Sequence, residues 1–309
     1  MRVLAWGLLL ALSIALPAQA SLSKQFKKQK IETANKLLQA KVPANGVKLE
    51  EEPDYIFMEF DVKANDAVYC ELYSDGIDNA ASQQAIVEAI IQDGLNSTAE
   101  DSKLQSDVRR IAMEKDRIVM ETLWLFTQGK DSEQLLRMST ATIQLASGAG
   151  FVCWNASSLS PDLFSELVSA LASSAKVNVA SAKPFYRDVV TFELQGRVVG
   201  YGENVLTRDD EDDIRVLSNM SMLMTIQPGL ITTSDSQKIE WSSPNGDLIN
   251  TYSVESENGN ITSELSFEPG EGDTDWKVSG ELQGKKVELE VNSVATVKSD
   301  VELLRAQYA

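Results

Sequence analysis

The sequence predicts an α+β chain in two parts: an N-terminal antiparallel sheet with packed helices, then a C-terminal all-β curved antiparallel sheet or half-barrel. Three observations carry this expectation. Residues 213–225 alternate with period two, Ile214, Val216, Ser218, Met220, Met222 and Met224 making a nearly continuous apolar face and Asp213, Arg215, Leu217, Asn219, Ser221, Leu223 and Thr225 the other, the pattern of one long strand. Helical stripes stand at Ala85, Ile86, Ala89 and Ile90, and again at Leu163, Phe164, Leu167, Val168 and Leu171. Residues 172–184 are small, polar and proline-ended, which places a domain boundary between a first domain over 21–175 and a second over 185–309.

Taken in order, the chain opens Met1-Arg2, runs apolar through residues 3–16 and reaches Pro17-Ala18-Gln19-Ala20 before Ser21. This is the pattern of a secretory signal peptide, so residues 1–20 are left out of the fold. The apolar run falls short of the about 20 residues a spanning helix needs, and no cysteine follows it to carry a lipid. An exported protein is expected, periplasmic in a Gram-negative cell and extracellular otherwise. Lys24, Lys27, Lys28, Lys30, Lys36 and Lys41 crowd the next stretch, where Leu22, Phe26, Ala34, Leu37 and Leu38 fall loosely on one side of a helix. A solvated docking helix, or a basic helix with weak membrane-surface contact, is the expectation.

Residues 55–62 and 68–73 read as a hairpin, followed by a helix that Asp78 or Asn79 would cap. Residues 108–114, 118–127, 135–145 and 151–154 are strand-like runs joined by short polar or glycine turns, an antiparallel meander. Ser160-Pro161-Asp162 opens the second helix, with serine as cap and proline at the first position. Past the boundary come further strand runs separated by turns such as Asn245-Gly246-Asp247, Asn258-Gly259-Asn260 and Gln283-Gly284-Lys285. A last helical piece is expected over 300–307.

Composition excludes more than it selects. The formal charge of -18 opposes nucleic-acid binding, which wants a basic face. The chain has 0 histidines, which removes Ser-His-Asp and Cys-His catalysis and histidine-ligated zinc. Its 2 cysteines, Cys70 and Cys153, sit in strand-like runs of an exported chain, so a structural disulfide between them is expected.

In the C-terminal half, the run Phe192-Glu193-Leu194-Gln195-Gly196-Arg197-Val198-Val199-Gly200-Tyr201, the long strand and Trp276-Lys277-Val278-Ser279-Gly280 ahead of Val287 resemble a bacterial exported module. It is the β-rich module of unknown function found beside transglutaminase-like domains, with a curved sheet similar to periplasmic lipoprotein carriers. The resemblance covers about residues 188–295 and implies a curved sheet. It implies no catalytic residue, because a transglutaminase needs a histidine.

Other constellations have bland readings beside the functional ones. The acidic run Asp209-Asp210-Glu211-Asp212-Asp213 could hold Ca²⁺ through oxygen ligands, but it lacks the EF-hand spacing and glycine, and a solvated hairpin loop accounts for it. Ser173 and Lys176 match S-x-x-K without the companion motifs of that chemistry. Sequons stand at Asn96, Asn155, Asn219 and Asn260. Met220, Met222, Met224 and Ile226 share one strand face, which reads as ordinary core, as an adaptable apolar ligand pocket, or as a Cu(I) site without its usual Cys or His. The expectation is therefore a non-enzymatic exported binding protein for an apolar small molecule or an envelope protein partner, without cofactor or metal. The rival class is a hydrolase using carboxylates or a Ser/Lys pair.

Overall fold

The computed structural model describes residues 22–63, 66–77, 80–97, 103–114, 117–128, 134–145, 148–155, 159–178, 184–227, 230–272, 275–292 and 297–302. The expected signal peptide, the Asp78/Asn79 cap and most of the expected C-terminal helix lie outside them. Helix α1 (Leu22–Gln25) precedes β1 (Lys28–Glu32), β2 (Leu38–Pro43), β3 (Gly46–Glu51), β4 (Tyr55–Lys63), β5 (Asp66–Tyr73) and α2 (Ala80–Ser97). There follow β6 (Lys103–Glu114), β7 (Arg117–Gln128), β8 (Gln134–Gln144), β9 (Gly150–Asn155), α3 (Pro161–Ser174) and β10 (Lys176–Val177). The rest is strand: β11 (Tyr186–Leu194), β12 (Arg197–Arg208), β13 (Ile214–Gln227), β14 (Leu230–Ser242), β15 (Leu248–Glu257), β16 (Asn260–Pro269), β17 (Asp275–Leu282) and β18 (Lys285–Asn292).

This corrects the expected α+β class. The protein is mostly β, its strands falling into a 3-stranded sheet β1-β2-β10, a 7-stranded sheet β3-β4-β5-β9-β8-β7-β6 and an 8-stranded meander β11 to β18. The clearest departure is the lysine-rich segment, which forms the β1–β2 hairpin instead of a helix. Ile31, Leu38, Ala40 and Val42 are buried while Lys28, Lys30 and Lys41 stay exposed, a period of two around the turn at Thr33–Lys36. The loose helical stripe was the weaker of two periodicities, and burial of alternate residues on a neighbouring sheet decided between them. The helical basis for a membrane-surface contact goes with it.

Three features place the rest of the N-terminal half. Ser160 caps α3 by accepting a hydrogen bond from the Leu163 amide, with Pro161 in the first turn. Its stripe Leu163, Phe164, Leu167, Val168 and Leu171 enters the main core with Leu38, Val42, Met58, Phe60 and Ile143. Cys70 and Cys153 face each other across β5 and β9 and are bonded, with Cα atoms 4.0 Å apart.

The two large sheets are packed against each other through α2 and β6. Val87 and Ile91 of α2 share a core with Trp124, Met138 and Val152 of the 7-stranded sheet and with Leu223 of β13. A smaller cluster joins Ile118 and Met120 of β7 to Tyr201 of β12. Strand β13 changes its buried parity along its length to serve both neighbours. Ile214 and Val216 are buried with Leu206 and Val301 of the C-terminal segment, whereas further on Asn219, Ser221 and Leu223 are buried instead. The even-numbered methionines therefore form no continuous core face.

Candidate functional site

The open face of the 8-stranded sheet carries a trough of ≈ 680 Å³. Cross-strand register sets its floor: Gly202 lies opposite Met220 and Met220 opposite Ser236, while Asn204, Ser218, Lys238 and Ser253 form the next row. Its walls are apolar at one end, from Val190, Phe192 and Met220, and again at the other, from Leu248, Phe267 and Val297. Glycine at 202 is what lets the end close in. A Cβ there would stand 3.3 Å from Phe192 Cζ and 3.4 Å from Val190 Cγ2, so both side chains lie over bare backbone.

The C-terminal segment lines the trough beside the β14–β15 turn and is tied down by charge. Lys238 Nζ is 2.7 Å from Glu240 Oε2 and 2.7 Å from Asp300 Oδ2, and the Asp300 amide donates to Glu240 Oε1 at 2.6 Å. Burial works against the Lys238 ammonium, but its bonds to Asp300 and Glu240 outweigh that and raise its pKa above the usual lysine value. A second clasp joins Lys298 to Asp247. Glu255, on the trough wall, is exposed and has no ion pair among the described residues. Asn219 borders the trough, and its Nδ2 is buried with no partner among the described residues.

The residues expected to bind ligand are divided by the structure. Met220 lines the trough, Met224 and Ile226 line a separate cavity of ≈ 280 Å³ beside Asp107 and Arg197, and Met222 is half-buried and lines neither. That second cavity adjoins a buried charge cluster which pins the halves together. Arg109 donates to Val199 O at 2.8 Å and Leu223 O at 3.2 Å, and its guanidinium lies 6.0 Å from the Trp124 ring centre. Burial pulls the Arg109 pKa down to about 10, so it stays charged at neutral pH. Asp107 accepts from Arg197 and, at 2.8 Å, from Thr225 Oγ1. A second polar chain runs Thr142 to Gln83 to Gln144 to Glu203 and ends on Arg187, 2.9 Å from Glu203. Sequence reading missed these groups, although charged residues at inward-facing strand positions are themselves a sign of a buried polar interface.

Other expected features have local roles. Asp209 Oδ1 accepts from the amides of Glu211 and Asp213, making the acidic run a hairpin turn, and no group of acids among the described residues is arranged to hold a metal. Ser173 Oγ donates to Ala170 O at the end of α3, and Lys176 opens the exposed start of β10. Asn155 and Asn219 are buried, which closes both sequons to glycosylation of the folded chain. Tyr55, Phe57, Tyr69, Tyr73 and Trp154 form a half-buried aromatic patch on β4, β5 and β9, with Phe57 stacked on Tyr69 at 5.9 Å. No helix among the described residues is long and apolar enough to cross a membrane. Compared with protein-family models and with curated proteins, the chain matches none.

Proposed function

We propose that this is an exported binding protein whose 8-stranded C-terminal sheet receives an apolar or amphipathic small molecule in the trough. The trough itself carries the reading. Its ≈ 680 Å³ falls within the roughly 300–1,000 Å³ of small-molecule sites, whereas the ≈ 280 Å³ cavity at Met224 does not reach it. Apolar walls at both ends with polar groups between them suit a ligand with an apolar chain and one polar end. Uncompensated charge in the trough is negative: Glu255 has no ion pair among the described residues, and Lys238 is shared by Glu240 and Asp300. A neutral or cationic polar end fits better than an anionic one. The disulfide agrees with an oxidising compartment, and so with export.

The test is titration of delipidated protein with a fluorescent alkylamine and a fluorescent fatty acid of equal chain length. Saturable binding is expected, tighter for the amine, weakened by Met220→Gln and unaffected by Met222→Gln. A buried methylene contributes about 0.8 kcal/mol, so an amide placed against the chain should weaken binding by about tenfold. Absence of saturable binding by either probe up to about 50 µM, well above what a matched apolar site of this size should need, would overturn the reading.

A further inference from the structure

We propose that the outer edge of β18, unpaired among the described residues, pairs with β18 of a second copy, joining two 8-stranded sheets across a twofold axis. Two other edges of the large sheets are blunted. β11 carries a register shift at Phe192/Glu193, and β6 is packed beneath β12 and β13 of the other half. Among the described residues β18 is neither bulged nor covered: it is 8 residues long, pairs with β17 without a register shift and contains no proline, and its charged side chains are of both signs, so that register decides whether they repel a second strand. Val287, Leu289 and Val291 line one of its faces, and Leu289 is 57% exposed.

Turn geometry determines which backbone groups are free. Gln283 and Gly284 both have positive φ, 51° and 73°, so the β17–β18 turn is a two-residue hairpin whose flanking residues, Leu282 and Lys285, bond to each other. Antiparallel pairing alternates from there, which turns the amides and carbonyls of Lys286, Glu288, Glu290 and Asn292 outward. Antiparallel pairing about Glu288 sets these outward groups opposite their counterparts. It places Lys286 against Glu290 of the second copy and Val287 against Leu289, each twice by symmetry. Charge and apolar character are thus complementary over Lys286 to Glu290, with Lys285 opposite Val291 at each end of the paired stretch. Centring one residue earlier sets Lys286 against Glu288 but shortens the paired stretch to Lys285–Leu289 and leaves Glu290 and Val291 opposite the turn, and centring one later sets Glu288 against Glu290. The one repulsive contact is Glu288 with itself on the axis, which Lys286 of the same strand, 3.4 Å away, partly offsets.

The experiment is sedimentation equilibrium of the mature protein at physiological salt over a wide concentration range. The wild type should show a monomer–dimer equilibrium. Lys286→Glu and Glu290→Lys should each raise the dimer dissociation constant by at least about tenfold, because each places two like-charge pairs across the axis. The double variant Lys286→Glu/Glu290→Lys should recover most of the wild-type value, and Glu288→Gln should tighten the dimer. All three side chains are exposed, so fold is retained, and circular dichroism checks it. A protein that stays monomeric at every concentration overturns the proposal. So does a dimer indifferent to both single reversals, or a double variant that does not recover. Loss of trough binding would leave these outcomes untouched.

Discussion

Asp235 illustrates how one half-buried carboxylate sets a pH dependence. Burial raises its pKa above the usual aspartate value, and the hydrogen bond from Ser221 Oγ only partly opposes this. The folded state therefore holds the proton more tightly than the unfolded chain. Its unfavourable contribution is absent below the unfolded value near about 3.9 and grows as pH rises through the higher folded value. Asp235→Asn keeps an acceptor for Ser221 and removes the charge. Its melting temperature should exceed that of the wild type at pH 7, by no more than about 1 kcal/mol of stability for a half-exposed group, and the gap should close in acid. A gap of constant size across pH 3 to 8, measured by thermal unfolding, would point to packing instead.

At the scale of elements, β12 and β13 depend on a glycine in the G-x-x-V-G-Y run. A Cβ on Gly200 would stand 2.1 Å from Ser221 O and 2.8 Å from Met222 Cα, both backbone atoms that cannot move without opening the ladder. Gly196, in the same run, sits in the turn at φ 76° with open space around its Cβ position. The motif is thus a device for hairpin and close strand approach, which is the kind of job glycine does in a sheet. Gly200→Ala should destabilise by about 3 kcal/mol or more in denaturant titrations, the scale of severe backbone strain. Gly200→Ala with unchanged stability would mean the two strands are further apart than described. Strand β13 explains why the methionine face misled: alternation states that two faces differ, but it cannot state which neighbour buries which face, or where along the strand they exchange.

For the molecule as a whole, the halves are joined through a shared core and buried charges, so unfolding should be one cooperative event. Arg109 is the test. Arg109→Met fills similar space but leaves the Val199 and Leu223 carbonyls without their donor and Asp107 with one cation fewer. Breaking such a buried pair costs about 3–5 kcal/mol, and calorimetry should show a lower main transition that broadens or splits as the halves uncouple. A single transition at the wild-type temperature would mean that Trp124 and Leu223 hold the halves together without it.

Much of the local structure was determined by the sequence alone. The hairpins at Asn258-Gly259 and Gln283-Gly284, the Ser160-Pro161 start of α3 and the meander order follow from short-range chemistry, left-handed turn residues and a cap hydroxyl, and the Cys70–Cys153 pairing follows from there being two cysteines in a chain with export features. Only the tertiary structure decided the rest. It turned the lysine-rich segment into strands, split Met220 from Met224 and Ile226, and brought Asp107, Arg109, Arg197 and Thr225 together from positions far apart in the chain. The physical reason is common to all three. A residue's periodicity reports that it has a buried side, whereas the partner on that side is set by long-range packing, and the partner decides whether it becomes core, wall or clasp.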